Sequence, residues 1–120
     1  MNNVYSTSFA VLIPFYDRYN DVINCISEIK EEIQNHGFIV LVNDGSSKET
    51  INKILDKTKN YKNLTVINHS TNKGVSMSRN TGFEWCVSKK IKVLIMIDSD
   101  SSPQKDCIFH HLAIHKRMPD

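Results

Sequence analysis

Asp98 and Asp100 close the apolar run Lys92–Ile97 with a single serine between them. Two carboxylates so close repel, and each raises the other's pKa unless a cation, donor groups or water offset the repulsion. At a strand tip one of them can reach a divalent ion while the other reaches a ribose hydroxyl, which suits a nucleotide diphosphate. Hard oxygen ligands favour Mg²⁺ or Mn²⁺, and such an ion stabilises charge on a departing diphosphate. Taken alone, Asp-x-Asp more often marks a solvated turn whose aspartate caps the following helix.

Three further residues stand where chemistry is possible. Tyr16 lies just beyond an apolar run and can offer a flat face to a base; Asp44 lies just beyond another and can accept a hydrogen bond from a base N–H. Each also has an ordinary explanation, an aromatic cover for a sheet edge and an Asp-Gly turn. Arg79, about one turn into a helix, can neutralise phosphate near a helix N-terminus that itself favours anions, although surface pairing is the usual fate of one arginine.

The elements that must position these residues follow from periodicity. Phe9–Ile13, Phe38–Val42, Leu64–Asn68 and Lys92–Ile97 are short apolar runs rich in strand formers, and Pro14 is expected to end the first. Val22, Ile26, Ile29 and Ile33 recur at helical spacing, with a stop at Asn35–Gly37. Ser46 and Glu49 have the spacing of a capping box for a second helix with the stripe Ile51, Ile54 and Leu55, and a third helix is expected from Val75 to Lys89. Strands apolar throughout imply burial on both faces, and strand–helix alternation implies right-handed crossovers. The expected fold class is therefore α/β, a Rossmann-like three-layer α/β/α arrangement with a mainly parallel sheet. The polar loops after the strands gather at the carboxyl edge, where such sheets bind ligands. Beyond Pro103 a helical pattern carries Cys107, Ile108, Leu112 and His115.

Composition narrows the class. A chain of 120 residues with net charge +2 and no basic stripe argues against nucleic acid. Three scattered cysteines, Cys25, Cys86 and Cys107, show no CxxC spacing, which favours buried thiols in a reducing, cytoplasmic setting. No stretch has the roughly 20 apolar residues of a transmembrane segment.

Four blocks, "VLIPFYDR", "VLVNDGSSKET", "NKGVSMSRNTG" and "IMIDSDSSP", match in order and spacing across most of residues 9 to 103. Together they resemble the family 2 glycosyltransferases of the glycosyltransferase-A fold. The resemblance implies a donor site in which Tyr16 stacks near the nucleobase within the turn that holds Pro14, and Asp44 bonds the base. Arg79 would assist at base or phosphates, Asp98 contact the ribose, and Asp100 carry the metal, Mn²⁺ or Mg²⁺. It implies a nucleotide diphosphate sugar as donor, most often a UDP-sugar, transfer to an acceptor hydroxyl with inversion, and a setting in polysaccharide biosynthesis. One departure concerns the acidic turn, which in the family usually has two adjacent aspartates; Asn43 replaces the first, keeping an acceptor oxygen without the charge.

Residues 1–120 accordingly read as the N-terminal nucleotide-sugar-binding portion of a glycosyltransferase-A domain, truncated after the Asp-x-Asp segment, with the acceptor-binding half and its general base absent. Such a piece is expected to bind donor, transfer little, and self-associate through its uncovered face. His111 and His115 have helical metal-ligand spacing but no third ligand, His110 lies beside them, and solvated positions account for Asp17 and Asp106. A non-catalytic nucleotide-sugar-binding module would use the same loops. A receiver-like signalling domain fits less well, because "VINHS" puts no aspartate at the end of the third strand.

Overall fold

The computed structural model describes residues 9–33 and 37–98, the side chains of Glu32 and Ile33 excepted. The calls on Asp100, Asp106, Cys107, His110, His111, His115 and the helical pattern beyond Pro103 lie outside the described residues, as does the side chain of Ile33.

The chain alternates strand and helix: β1 (Phe9–Phe15), α1 (Tyr19–Ile33), β2 (Phe38–Asp44), α2 (Lys48–Thr58), β3 (Leu64–His69), α3 (Val75–Ser88) and β4 (Val93–Met96). All pairings are parallel, in the order β3-β2-β1-β4. Side chains alternate across the sheet with period two. Phe9, Val11, Ile13 and Phe15 meet Val22, Cys25, Ile26 and Ile29 of α1 and Ile54 of α2, whereas Ala10 and Leu12 face Cys86 of α3 with Val40 and Val42. The result is the three-layer α/β/α arrangement.

Full burial holds for β1 and for β2 beyond Phe38, while β3 and most of β4 are only half-buried. The difference follows from place, since among the described residues β1 and β2 have a strand on each side and β3 and β4 on one side only. Gly82 lets α3 approach the sheet, because a Cβ there would collide with the Leu12 side chain.

Three local expectations are corrected. Pro14 does not end β1, which runs to Phe15 with Pro14 in register with Val42. Leu12 O accepts Ile97 N at 3.0 Å, so Leu12 and, two residues on, Pro14 turn their peptide groups toward β4, and β4 stops at Met96 opposite Leu12. The missing proline N–H therefore breaks no ladder bond. The cap of α2 is Ser47 rather than Ser46: Ser47 Oγ accepts Thr50 N at 3.3 Å, and Glu49 pairs with Lys53. Leu55 leaves the buried stripe and is 45% exposed.

The buried thiols behave as small hydrophobes. Burial, aided by Glu28, pushes Cys25 up to about 12, and burial also raises Cys86. Among the described residues no helix is long and apolar enough to cross a membrane.

Candidate functional site

The strand ends converge on a cleft of about 520 Å³ lined by Pro14, Phe15, Tyr16, Arg18, Asp44, Asn72, Gly74, Val75, Ser78, Arg79 and Asp98. Each sequence-derived candidate within the described residues borders this one cleft. They arrive from four places: the end of β1, the end of β2, the first turns of α3 and the residues after β4.

The β1–α1 turn is held in an unusual backbone state. Asp17 and Arg18 have φ of 53° and 60°, a left-handed conformation that costs roughly 1–2 kcal/mol per non-glycine residue. Hydrogen bonds to the β2–α2 turn offset the strain: Asp17 N donates to Ser46 Oγ at 2.7 Å, and Ser47 N donates to Asp17 Oδ1 at 3.0 Å. The Ser47 backbone bond outweighs an opposing effect of burial and, with lesser help from Thr50 and the Ser47 hydroxyl, holds the Asp17 carboxyl below its usual value. Asp17 is thus a clasp between two turns rather than a merely solvated acid. Beyond it Tyr16 stands 52% exposed at the cleft wall.

The β2 tip is denser. Asn43 donates from Nδ2 to Asn68 Oδ1 at 3.0 Å and accepts Ser46 N on Oδ1 at 2.8 Å. An aspartate here would have no N–H to give, and Asn68 would have to present its own amide N–H instead. Gly45 has φ of 81°, and a Cβ on it would lie 2.6 Å from Asn72 N, so the Asp44–Gly45 turn needs glycine.

Asp44 is buried and ties three segments together. Its Oδ1 accepts Lys73 N at 2.8 Å and its Oδ2 accepts Gly74 N at 2.8 Å, while His69 Nδ1 lies 2.9 Å from Oδ1. Burial pushes the Asp44 carboxyl up, but the bond from His69 and the two backbone N–H groups outweigh it and leave the net shift downward. His69 in turn is 2.8 Å from Thr81 Oγ1 on α3. Sequence reasoning passed over His69 and Thr81. The available signal was register, since His69 ends β3 directly beside Asp44.

Across the cleft Arg79 Nη2 donates to Asp98 Oδ1 at 2.9 Å, with the two side chains 42% and 54% exposed. Arg79 Nε is buried and finds no hydrogen-bond partner among the described residues. Sequence reasoning also passed over Arg18, Asn72 and Ser78, because loop and helix residues announce their direction only once the backbone is placed. Among the described residues no three acidic, histidine or cysteine side chains converge as a metal-ligand set. Asp98 offers hard carboxylate oxygens to the cleft, the donor type that Mg²⁺ and Mn²⁺ prefer.

This parallel α/β sheet with its carboxyl-edge cleft is the architecture of the glycosyltransferase-A fold. The chain belongs to glycosyl transferase family 2, whose pattern matches residues 10–120. It is 32% identical over 106 residues to a glycosyltransferase of Rickettsia felis (strain ATCC VR-1525 / URRWXCal2), covering 88% of this chain and 17% of that protein. It is 25% identical over 95 residues to the glycosyltransferase YibD of Escherichia coli (strain K12), covering 79% of this chain and 26% of that protein. The chain thus spans about a quarter or less of these relatives. Among solved structures, S. aureus TarS 1-349 in complex with UDP-GlcNAc aligns with a TM-score of 0.76 and 22% identity over 92% of this chain and 32% of that one. The mannosyltransferase PcManGT from Pyrobaculum calidifontis, in complex with GDP-Man and Mn²⁺, aligns with a TM-score of 0.68 and 17% identity over 82% and 29%. At these identities the two structures speak for the fold.

Proposed function

We propose that this chain forms the nucleotide-sugar donor site of a metal-assisted glycosyltransferase that moves a sugar from a nucleotide diphosphate, most simply UDP, to an acceptor hydroxyl. The observation that carries the reading is the shared cleft. An exposed aromatic, an ionised acceptor, a cationic guanidinium and a carboxylate border one space of about 520 Å³, within the 300–1,000 Å³ usual for small-ligand sites. Tyr16, with Pro14 beside it, would stack the base, and the remaining lone pair of Asp44 would accept its N–H. Arg79 would turn its unpartnered Nε and its fork toward phosphate oxygens, and Asp98 would meet the ribose. The complexes of TarS with UDP-GlcNAc and of PcManGT with GDP-Man and Mn²⁺ support a donor of this class.

Asp100 is the residue that would hold Mn²⁺ or Mg²⁺, which when bound would lend Lewis-acid stabilisation to the diphosphate. In the transfer, the acceptor oxygen forms a bond to the anomeric carbon as the bond from that carbon to the diphosphate oxygen breaks, inverting the centre. The electron pair leaves with the diphosphate, and the acceptor proton passes to a base not assigned in this chain. Residues 1–120 on this reading are the donor-binding portion of the domain. Exposed Phe83, Val87 and Met96 are the apolar surface through which the chain would self-associate, as light scattering would detect.

Calorimetric titration of UDP into the chain with and without Mn²⁺, alongside Asp100→Ala, tests the reading. Metal-enhanced binding that is lost in the variant is expected. A chain that binds no nucleoside diphosphate in either condition overturns it.

A further inference from the structure

Asp44 has more partners than a turn requires. An ionised carboxylate has about four acceptor positions. Oδ1 meets both Lys73 N–H and His69 Nδ1, and Oδ2 meets Gly74 N–H, which leaves one. Because the carboxylate only accepts, His69 must carry a proton on Nδ1. In the neutral ring Nε2 is then an acceptor, and the Thr81 hydroxyl at 2.8 Å fills it. The His69 and Asp44 side chains are 8% and 6% exposed, so water competes little for these bonds. His69 and Thr81 stand behind Asp44, outside the set of residues that line the cleft.

We propose that His69, braced by Thr81, is a positioning residue for nucleobase recognition: it saturates Asp44 Oδ1 and so leaves one lone pair of Oδ2 as the acceptor offered to the cleft. The inference rests on the donor-site reading above. It deepens that reading by stating what sets the selection. A base is favoured when it presents one N–H at that point, as uracil does at N3 and guanine at N1. A uracil methylated at N3 has no such donor and places a methyl group against a carboxylate. Without His69, Oδ1 regains an open position, the carboxylate can turn about its terminal torsion, and the selection is relaxed.

Titration of the chain with UDP and with N3-methyl-UDP reads this directly. The unaltered chain is expected to prefer UDP by about tenfold, the worth of one hydrogen bond to a charged group. His69→Asn keeps an N–H for Asp44 and should retain most of that preference, whereas His69→Phe should lose it. Equal preference in His69→Phe and the unaltered chain, both folded by circular dichroism, overturns the positioning role and leaves the donor site standing. An unaltered chain that binds UDP but does not distinguish the methylated form overturns base reading by Asp44, and the positioning with it; one that binds no UDP overturns the donor-site reading as well.

A ligand-free measurement guards against variants that fail to fold. Long-range ¹H–¹⁵N spectra of His69 should show the proton on Nδ1 and a bare Nε2 that responds to the near-isosteric Thr81→Val. A proton on Nε2 alone, or no response in Thr81→Val, overturns the relay.

Discussion

Asp44 and Asp98 both follow the carboxyl ends of parallel strands and both border one cleft, yet the chain treats them in opposite ways. Asp44 ends β2, an interior strand flanked by β1 and β3, and its neighbours bring it two backbone N–H groups and an imidazole. Asp98 follows β4, which among the described residues pairs with β1 alone, and its carboxylate meets only the half-exposed Arg79 among the hydrogen bonds seen. The same residue type at the same kind of place becomes a fixed acceptor in one case and an adjustable charge in the other. Among the described residues, the tip of β2 has neighbours that bring it donors and the tip after β4 has not. The fixed group suits recognition of a flat base; the adjustable one suits a flexible, hydroxyl-bearing part of a ligand.

The comparison breaks first if Asp44 proves dispensable. Asp44→Ala strands Lys73 N–H, Gly74 N–H and His69 in a buried place, and a loss of about 3 kcal/mol is expected in urea unfolding. The acid limb sharpens the point. Because the folded Asp44 carboxyl lies below its ordinary 3.8, its stabilisation is fully present above that value and is lost as pH falls through the folded pKa. The stability gap between the unaltered chain and Asp44→Asn should therefore narrow as pH falls below 3.8. A gap that does not narrow in acid would mean that Asp44 is not the group responsible.

A smaller effect is expected behind the site. The helix α3 serves both aspartates, carrying Thr81 behind His69 and Arg79 beside Asp98. Gly82 seats that helix against Leu12. Gly82→Ala should cost about 1–3 kcal/mol by overpacking, and much less in a Leu12→Ala background, where the collision is removed. Thermal unfolding of the four proteins measures the coupling. Additive losses would show that α3 is placed by something other than this contact.

How far the sequence alone reaches can be judged on the same residues. The strand runs, their order and the convergence of Tyr16, Asp44, Arg79 and Asp98 were legible because hydrophobic periodicity and βαβ handedness need no long-range detail. The fine roles were not. The partners of Asp44 lie 25 to 30 positions away, so an Asp-Gly turn looked sufficient until the register of β2 on β3 put His69 beside it. Pro14 looked like a terminator because a missing N–H matters only where a neighbouring strand wants it, and β4 had already ended. Leu55 matched the apolar stripe of α2 but is left without cover, since period alone does not tell how wide a buried face is.

The smallest stability effect and the most informative binding effect belong to Asp98→Ala. The pair with Arg79 is about half exposed on both sides, so its loss should change unfolding free energy by less than about 1 kcal/mol. Binding should differ between the two conditions. Without metal, the lost ribose contact and the Arg79 guanidinium freed for phosphate offset each other, and UDP affinity should change by less than about threefold. With Mn²⁺, a carboxylate two positions from Asp100 is gone, the local negative charge that favours the cation falls, and the metal-dependent gain should shrink. Calorimetry in the two conditions separates these terms. If Asp98→Ala instead loses UDP equally with and without Mn²⁺, Asp98 is a fixed ligand contact like Asp44, and the division between a rigid tip at β2 and an adjustable tip after β4 fails.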